Sequence, residues 1–284
     1  MKYLQVELTN RCNLQCVECP HRFMKRPFYN MEKDVFDRVL NIIEETQPLT
    51  VIPHKDGEPL LHPDFFEYMK MISEISQAKF DIYTNGIPLT RELVEKLDSL
   101  GNKIFFLISF HFHKYDGTKY SYLEVNERIE EILSLDLKHT EFVFATHVTD
   151  LENEEKLNIW KKNWELLSDK YYLLKAVHVN KAINPWTGLI SQKNCISFDA
   201  CPYQNGEHLF VGNTGNILPC CMDLEEELTL ANIMEDDLND IIQRRNEFYE
   251  NLEQGELDLL CRKCLGSWDT WFWRRENNGS ISVR

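Results

Sequence analysis

Over residues 1–180 the chain swings repeatedly between two apolar periods, and that alternation limits the fold more than any single residue does. Tyr3–Leu8 (YLQVEL) alternates apolar and polar side chains, the period of a half-buried strand. Met31–Ile43 repeats its apolar residues every three or four positions, which predicts an amphipathic helix. The same exchange recurs as a short strand at Thr50–Pro53, a helix from Pro63 to about Ile75 and a strand at Phe80–Thr84. A helix over Leu89–Leu100 follows, opening on Thr90-Arg91-Glu92-Leu93 and stopping at Gly101. Lys103–Phe112 reads as a strand buried on both faces. Beyond it come a helix near Tyr120–Leu133, a strand at Glu141–Val148, a helix at Leu151–Leu167 and a strand at Tyr171–Val179. Six strands interleaved with five helices require crossover connections, hence an α/β fold built on a parallel sheet. Ligands of such sheets sit at the C-terminal ends of the strands.

From about Asn180 the style changes. Pro185, Gly188, Pro202, Gly206, Gly212 and Gly215 punctuate short segments. His208–Val211 and Asn216–Leu218, joined by Gly-Asn-Thr-Gly, predict a β-hairpin, and an acidic helix over about Asp236–Leu252 leads to Cys261-Arg-Lys-Cys264. The expected division is therefore a barrel-like domain over 1–180 and a small cysteine-bearing domain over 181–284.

Composition narrows the classes of function. Forty-six acidic against 31 basic residues give a net charge of −15, which disfavours nucleic acid as a partner because phosphate binding needs concentrated Lys and Arg. No long apolar run occurs, so neither a signal peptide nor a membrane span is expected, and the predicted compartment is the cytoplasm. An odd count of nine cysteines, tightly clustered, points to metal sites rather than disulfides.

Three of those cysteines stand in Cys12-x3-Cys16-x2-Cys19, directly after the first predicted strand and so at the ligand-binding edge of the sheet. Three thiolates suit a 4Fe–4S cluster whose fourth iron stays open; the alternative is a zinc ion that takes His21 as fourth ligand. The motif resembles the signature of the radical S-adenosylmethionine (SAM) superfamily. That resemblance implies a partial (β/α)6 parallel barrel, a 4Fe–4S cluster held by Cys12, Cys16 and Cys19, and SAM chelating the open iron through its amino and carboxylate groups. Gly57-Glu58-Pro59-Leu60-Leu61 resembles the family's G-G-E-P segment, and Gly57, Glu58 and Pro59 are the implied SAM contacts. Thr84 and Asn85 of Tyr83-Thr84-Asn85-Gly86, with Ser109 at the end of the fourth strand, are the remaining implied contacts. Two positions depart from the pattern: Glu18 stands where the family has an aromatic residue, and Asp56 replaces the first glycine of G-G-E.

Cys201, Gly215-x4-Cys220 and Cys261-x2-Cys264 resemble the twitch form of the SPASM extension, which implies a second, auxiliary 4Fe–4S cluster on Cys201, Cys220, Cys261 and Cys264. Four thiolates could equally hold structural zinc. Cys195 and Cys221 are left over, with Cys221 a substitute for Cys220.

The layout also resembles superfamily members that dehydrogenate cyclitols. It implies cleavage of SAM to a 5′-deoxyadenosyl radical and hydrogen abstraction from a sugar- or cyclitol-like small molecule, with the auxiliary cluster accepting an electron from the substrate. Lys181 and His178, at the end of the sixth strand, are the candidate proton acceptors. A flavodoxin- or ferredoxin-type reductant is the expected protein partner. The competing reading is a maturase that epimerises or crosslinks a short ribosomal peptide, with Cys195 or Cys221 as hydrogen donor. A non-enzymatic iron–sulfur electron carrier would need neither Gly-Glu-Pro nor an open iron.

Overall fold

The computed structural model describes residues 1–16, 19–109, 122–147, 162, 165, 171–180, 201–255 and 260–261. Strands β1 (Tyr3–Val6), β2 (Thr50–Ile52), β3 (Lys79–Thr84), β4 (Ile104–Ser109), β5 (Thr140–His147) and β6 (Leu174–Asn180) lie side by side in chain order, all parallel. Helices α1 (Lys33–Thr46), α2 (Phe65–Ile75), α3 (Arg91–Asp98) and α4 (Tyr122–Leu133) fill four of the crossovers. The predicted helix at Leu151–Leu167 falls almost entirely outside the described residues.

Local chemistry sets the helix limits. Thr90 accepts a hydrogen bond from the Leu93 N–H and caps α3, as Thr-Arg-Glu-Leu predicts. Gly101, beyond its other end, adopts φ 87°, where a side chain would be strained. α1 turns Val35, Phe36, Val39, Ile42 and Ile43 inward. They pack with Leu4, Val6, Phe80, Ile82, Phe106, Phe142 and Phe144 in one continuous core between helices and sheet.

One expectation changes. The segment predicted as buried on both faces alternates instead: Ile104, Phe106 and Ile108 are fully covered, while Phe105, Leu107 and Ser109 are only partly so. The helices cover one face; on the other, Lys79 Nζ lies over the Phe105 ring and Ser109 lines the cavity described below.

The C-terminal hairpin forms as predicted, β7 (His208–Val211) pairing antiparallel with β8 (Asn216–Leu218), and β9 (Ala231–Asn232) adds a third strand. β7 also runs parallel to β1, matching Leu4 with Leu209, so one nine-stranded sheet passes from the predicted barrel into the predicted appendage. Helix α5 (Leu238–Glu253), capped by Asp237, closes this end. Among the described residues no helix is long and apolar enough to cross a membrane.

Candidate functional site

Where β1 ends, Thr9 and Asn10 fix both ends of the cysteine loop. Thr9 Oγ1 donates to Asn30 Oδ1 at 2.7 Å and accepts from the Arg11 N–H at 3.1 Å. Asn10 Nδ2 donates to Pro27 O at 2.8 Å, and its Oδ1 accepts from the Tyr29 N–H at 2.7 Å. Cys12, Cys16 and Cys19 consequently line a single cavity at the C-terminal edge of the sheet. The zinc alternative finds no support in His21, whose Nε2 lies 2.7 Å from Asn10 O and whose ring stacks on Phe28. Among the described residues no three His, Cys, Asp or Glu side chains converge on one ion. A cluster takes its thiolates at separate iron corners, so three thiols around a cavity fit it better than they fit one tetrahedral ion.

The turn after β2 closes on that loop. A Cβ at Gly57 would stand 2.4 Å from Thr9 O and 2.6 Å from Arg11 O, and the Glu58 N–H donates to Arg11 O at 2.8 Å. Only glycine permits this approach. The buried Glu58 carboxylate reaches the turn after β3, accepting from Thr84 Oγ1 at 2.7 Å and from the Asn85 N–H at 2.7 Å. Asn85 Nδ2 donates in turn to Asn13 Oδ1 at 2.7 Å, inside the cysteine loop. Arg128, from α4, supports the same turn by donating to Ile87 O at 2.8 Å. Three separate loops thus form one hydrogen-bonded rim, with Ser109 on the cavity wall.

Behind the rim lies a buried charge network. Arg26 holds Glu7 with two hydrogen bonds, at 2.6 and 2.9 Å, and reaches Asp56 Oδ2 at 3.0 Å. Lys55 donates to Asp56 Oδ2 and, at 2.8 Å, to Asp223 O. Arg26 Nε bonds Leu224 O at 2.7 Å, and its Nη1 pairs with Glu226 at 3.2 Å. The cysteine loop, the Gly-Glu-Pro turn and the C-terminal segment are therefore joined through two cations and three carboxylates. One negative charge is left in excess if all five ionise. Burial, together with the charge of Glu7, pushes Asp56 up to about 7 against the pull of Lys55 and Arg26. Burial likewise raises Glu226, whereas Glu7, despite its burial, is held low by Lys55 and Arg26.

The second thiol group assembles beyond β8. Cys201 precedes β7, Cys220 follows β8 and Cys261 follows α5. Burial drives the Cys220 thiol well above its usual range, and charge on Cys221, Cys201 and Cys261 raises it further. Buried thiols that oppose one another's ionisation suit a cationic cluster, which stabilises them as thiolates. Tyr249 borders the same group: burial, then the charges of Cys201, Cys220 and Cys261, raise its phenol, which donates to Pro219 O. Cys221 adjoins the group as well, its charge acting on Cys220 ahead of those of Cys201 and Cys261. Its Sγ lies 3.1 Å from Tyr203 Oη, and Asp56 and Lys55 act on its charge.

Of the predicted site residues, the structure gathers Cys12, Cys16, Cys19, Gly57, Glu58, Thr84, Asn85 and Ser109 around one cavity. Pro59 begins the 3-10 turn Pro59–Leu61, immediately after the Gly57-Glu58 segment. Cys264, Lys181 and Cys195 lie outside the described residues; His178 is in β6, level with Ala145, but its side chain is not described. Sequence reasoning missed Thr9, Asn10, Arg26, Lys55 and Arg128. The Thr-Asn pair before Cys12 and the Lys-Asp pair before Gly57 were visible signals, but neither names its partners.

Comparisons with known proteins bear on the family and the fold. A family model described as the Radical SAM superfamily matches residues 6–155, more than half of the chain, and one described as an iron–sulfur cluster-binding domain (SPASM) matches residues 201–265. The S-adenosyl-L-methionine-dependent 2-deoxy-scyllo-inosamine dehydrogenase of Niallia circulans is 24% identical over 277 residues, covering 92% of this chain and 91% of that protein. The tungsten-containing aldehyde ferredoxin oxidoreductase cofactor-modifying protein of Pyrococcus furiosus is 38% identical over 104 residues, and this chain covers only 28% of its length. Among solved structures, BtrN in complex with AdoMet and 2-DOIA superposes with a TM-score of 0.66 at 20% identity, over 94% of this chain and 93% of BtrN. Streptococcus suis SuiB bound to S-adenosylmethionine gives 0.51 at 17% identity, over 93% of this chain and 72% of SuiB.

Proposed function

The chain belongs to the radical SAM superfamily, and from that premise we propose that it oxidises an alcohol carbon of a cyclitol- or sugar-like small molecule. The observation that carries the reading is the match to the Niallia circulans dehydrogenase over 92% of this chain and 91% of that protein. The enzyme uses SAM and two 4Fe–4S clusters, one at each group. When bound, the reduced first cluster and SAM supply a 5′-deoxyadenosyl radical that removes hydrogen from the substrate carbon.

Cys12, Cys16 and Cys19 hold the first cluster in this proposal, and Cys201, Cys220, Cys261 and Cys264 the second. Gly57 lets backbone come close to SAM, Pro59 sets the direction of the chain leaving that turn, and Glu58 offers a carboxylate to the SAM ammonium. Thr84, Asn85 and Ser109 border SAM on the sheet edge. Glu58 is already fixed by Thr84 and Asn85, so it meets SAM in one orientation with little ordering left to do. Lys181 or His178 takes the hydroxyl proton. A flavodoxin- or ferredoxin-type protein delivers the electrons.

Anaerobic reconstitution followed by SAM, dithionite and deuterated candidates tests the reading. Deuterium reaching 5′-deoxyadenosine from a carbinol carbon, with a ketone formed, is the expected result. Deuterium arriving from the α-carbon of a peptide residue would replace it with the maturase reading.

A further inference from the structure

The segment that leaves the cysteine loop departs from the acidic character of the chain. From Cys19 to Met31 it holds no Asp or Glu, although the chain has 46 in 284 residues, and it carries Arg22, Lys25 and Arg26. Phe23, Phe28 and Tyr29 are 43%, 43% and 51% exposed, three of the six large apolar side chains that stand exposed among the described residues. Single exposed apolar side chains are ordinary, but three within seven residues mark a contact surface. The backbone beneath them is already fixed. Asn10 bonds Pro27 O and the Tyr29 N–H, and Glu225 accepts from the N–H groups of Lys25 and Arg26 at 2.7 and 2.9 Å. The Phe28 ring stacks on His21. Rings carried on a backbone held in this way meet a partner with little ordering left to lose.

Arg26 is engaged in the buried network, but the cations around it are open. Arg11 lies exposed with Nη2 on Phe28 O at 2.9 Å, and the exposed Arg22 guanidinium stands 4.5 Å from the centre of the Phe23 ring. Among the described residues neither pairs with a carboxylate, and the exposed Lys25 ammonium does not either, since Glu225 meets its backbone N–H. Elsewhere Lys2, Lys33, Arg91, Lys96 and Arg244 each hold a carboxylate. Aromatic rings and arginines are the side chains that protein interfaces favour. On a chain of net charge −15 an acidic partner is repelled in most orientations and steered towards a surface of this kind.

Cys19 directly precedes the 3-10 turn Pro20–Phe23, so Phe23 stands about 8 Å along that turn from a cysteine of the first group, at about 2 Å per residue. Cleavage of SAM consumes one electron before the substrate has been touched, and that electron comes from outside the chain. We propose that Phe23, Phe28 and Tyr29, ringed by Arg11, Arg22 and Lys25, are the docking surface for an acidic one-electron carrier protein. The carrier is oxidised by one electron and the first cluster is reduced by it, with no proton transferred. This deepens the reductant named above and rests on the first cluster, not on the identity of the substrate.

The test uses reconstituted protein and two acidic probes, a flavodoxin and a 2Fe–2S ferredoxin, on wild type, Phe23→Ser and the double variant Arg22→Glu/Lys25→Glu. Calorimetry with oxidised carrier reads binding. Anaerobic stopped-flow absorbance in a Cys261→Ala background, which leaves one cluster to observe, reads reduction by the reduced carrier. Wild type is expected to bind at least one probe, and to lose that binding in about 1 M salt, where charges are screened beyond about 3 Å. Each variant weakens binding at low salt by roughly 10-fold and slows reduction in step. Iron content and SAM cleavage driven by dithionite stay within about 2-fold of wild type, because a small reductant needs no docking surface. Wild type that binds neither probe overturns the proposal, as do folded variants that bind as tightly as wild type. So does a carrier that binds but leaves the single-cluster protein oxidised, which would move electron entry to the second cluster. A dimer in sedimentation that Phe23→Ser converts to monomer would give the surface to a second copy of the chain and equally overturn it. If dithionite itself cleaves no SAM, the reading of the first cluster falls; intact cleavage beside indifferent variants refutes only the docking surface.

Discussion

His54 and Asp56 oppose each other in their dependence on pH, although they line the same wall. Asp56 has a raised carboxyl, so between its ordinary value of 3.8 and about 7 the folded state holds a proton that the unfolded chain releases. Its contribution is present at low pH and is lost as pH rises through 7. His54 is lowered from 6.5 to about 4, so the unfolded chain holds the extra proton and stability grows as pH rises across that window. Anaerobic melts at pH 5 and pH 7 separate the two: Asp56→Asn should gain on wild type as pH rises, and His54→Gln should lose ground. The cysteines give a second prediction at this scale. Cys12→Ala, which leaves two thiolates for the first cluster, is expected to abolish SAM cleavage and remove about half the iron bound by a chain that otherwise holds two clusters of one type. Iron assay and 5′-deoxyadenosine release measure both.

At the scale of elements, the Gly-Glu-Pro turn and the cysteine loop act as one piece. Gly57→Ala places a methyl group 2.4 Å from Thr9 O, against backbone on the facing loop rather than against a side chain that can move. The turn must shift, and with it Glu58. SAM cleavage is expected to drop roughly 100-fold, the cost of about 1 Å of misplacement, while the second cluster still loads. Arg26 joins this piece to the C-terminal segment. Its removal leaves Glu7, whose side chain is 0% exposed, without its bidentate partner and unties Leu224 from the barrel. Arg26→Ala should destabilise the protein by about 3–5 kcal/mol, read as a lower anaerobic denaturation midpoint.

Across the whole molecule, the parallel pairing of β1 with β7 puts the strands of both cysteine-bearing regions in one sheet, and Lys55 and Arg26 bond Asp223 O and Leu224 O just past Cys220 and Cys221. Cys261→Ala is expected to halve the iron and spare SAM cleavage while ending formation of oxidised product, because the second electron loses its acceptor. Quantifying 5′-deoxyadenosine and product in the same sample checks this. Much of this plan was readable along the chain. Alternating apolar periods, Thr90 before Arg-Glu-Leu, the Gly-Asn-Thr-Gly hairpin and the two cysteine spacings each depend on residues only a few positions apart, and local backbone geometry with ligand chemistry decides them. The unread part joins residues far apart in the chain. Nothing beside Arg26 announces that it meets Glu7, Asp56 and Glu226, and nothing beside His54 says that its Nδ1 is buried without a hydrogen-bond partner among the described residues. Lys103–Phe112 looked buried on both faces because composition records how apolar a strand is, not which neighbours cover it. Sequence alone determined the order of the described elements, the class of cofactors and the family. Tertiary structure decided which charges are buried together and which loops meet around the cavity, because burial and pairing belong to the assembled chain and not to any segment of it.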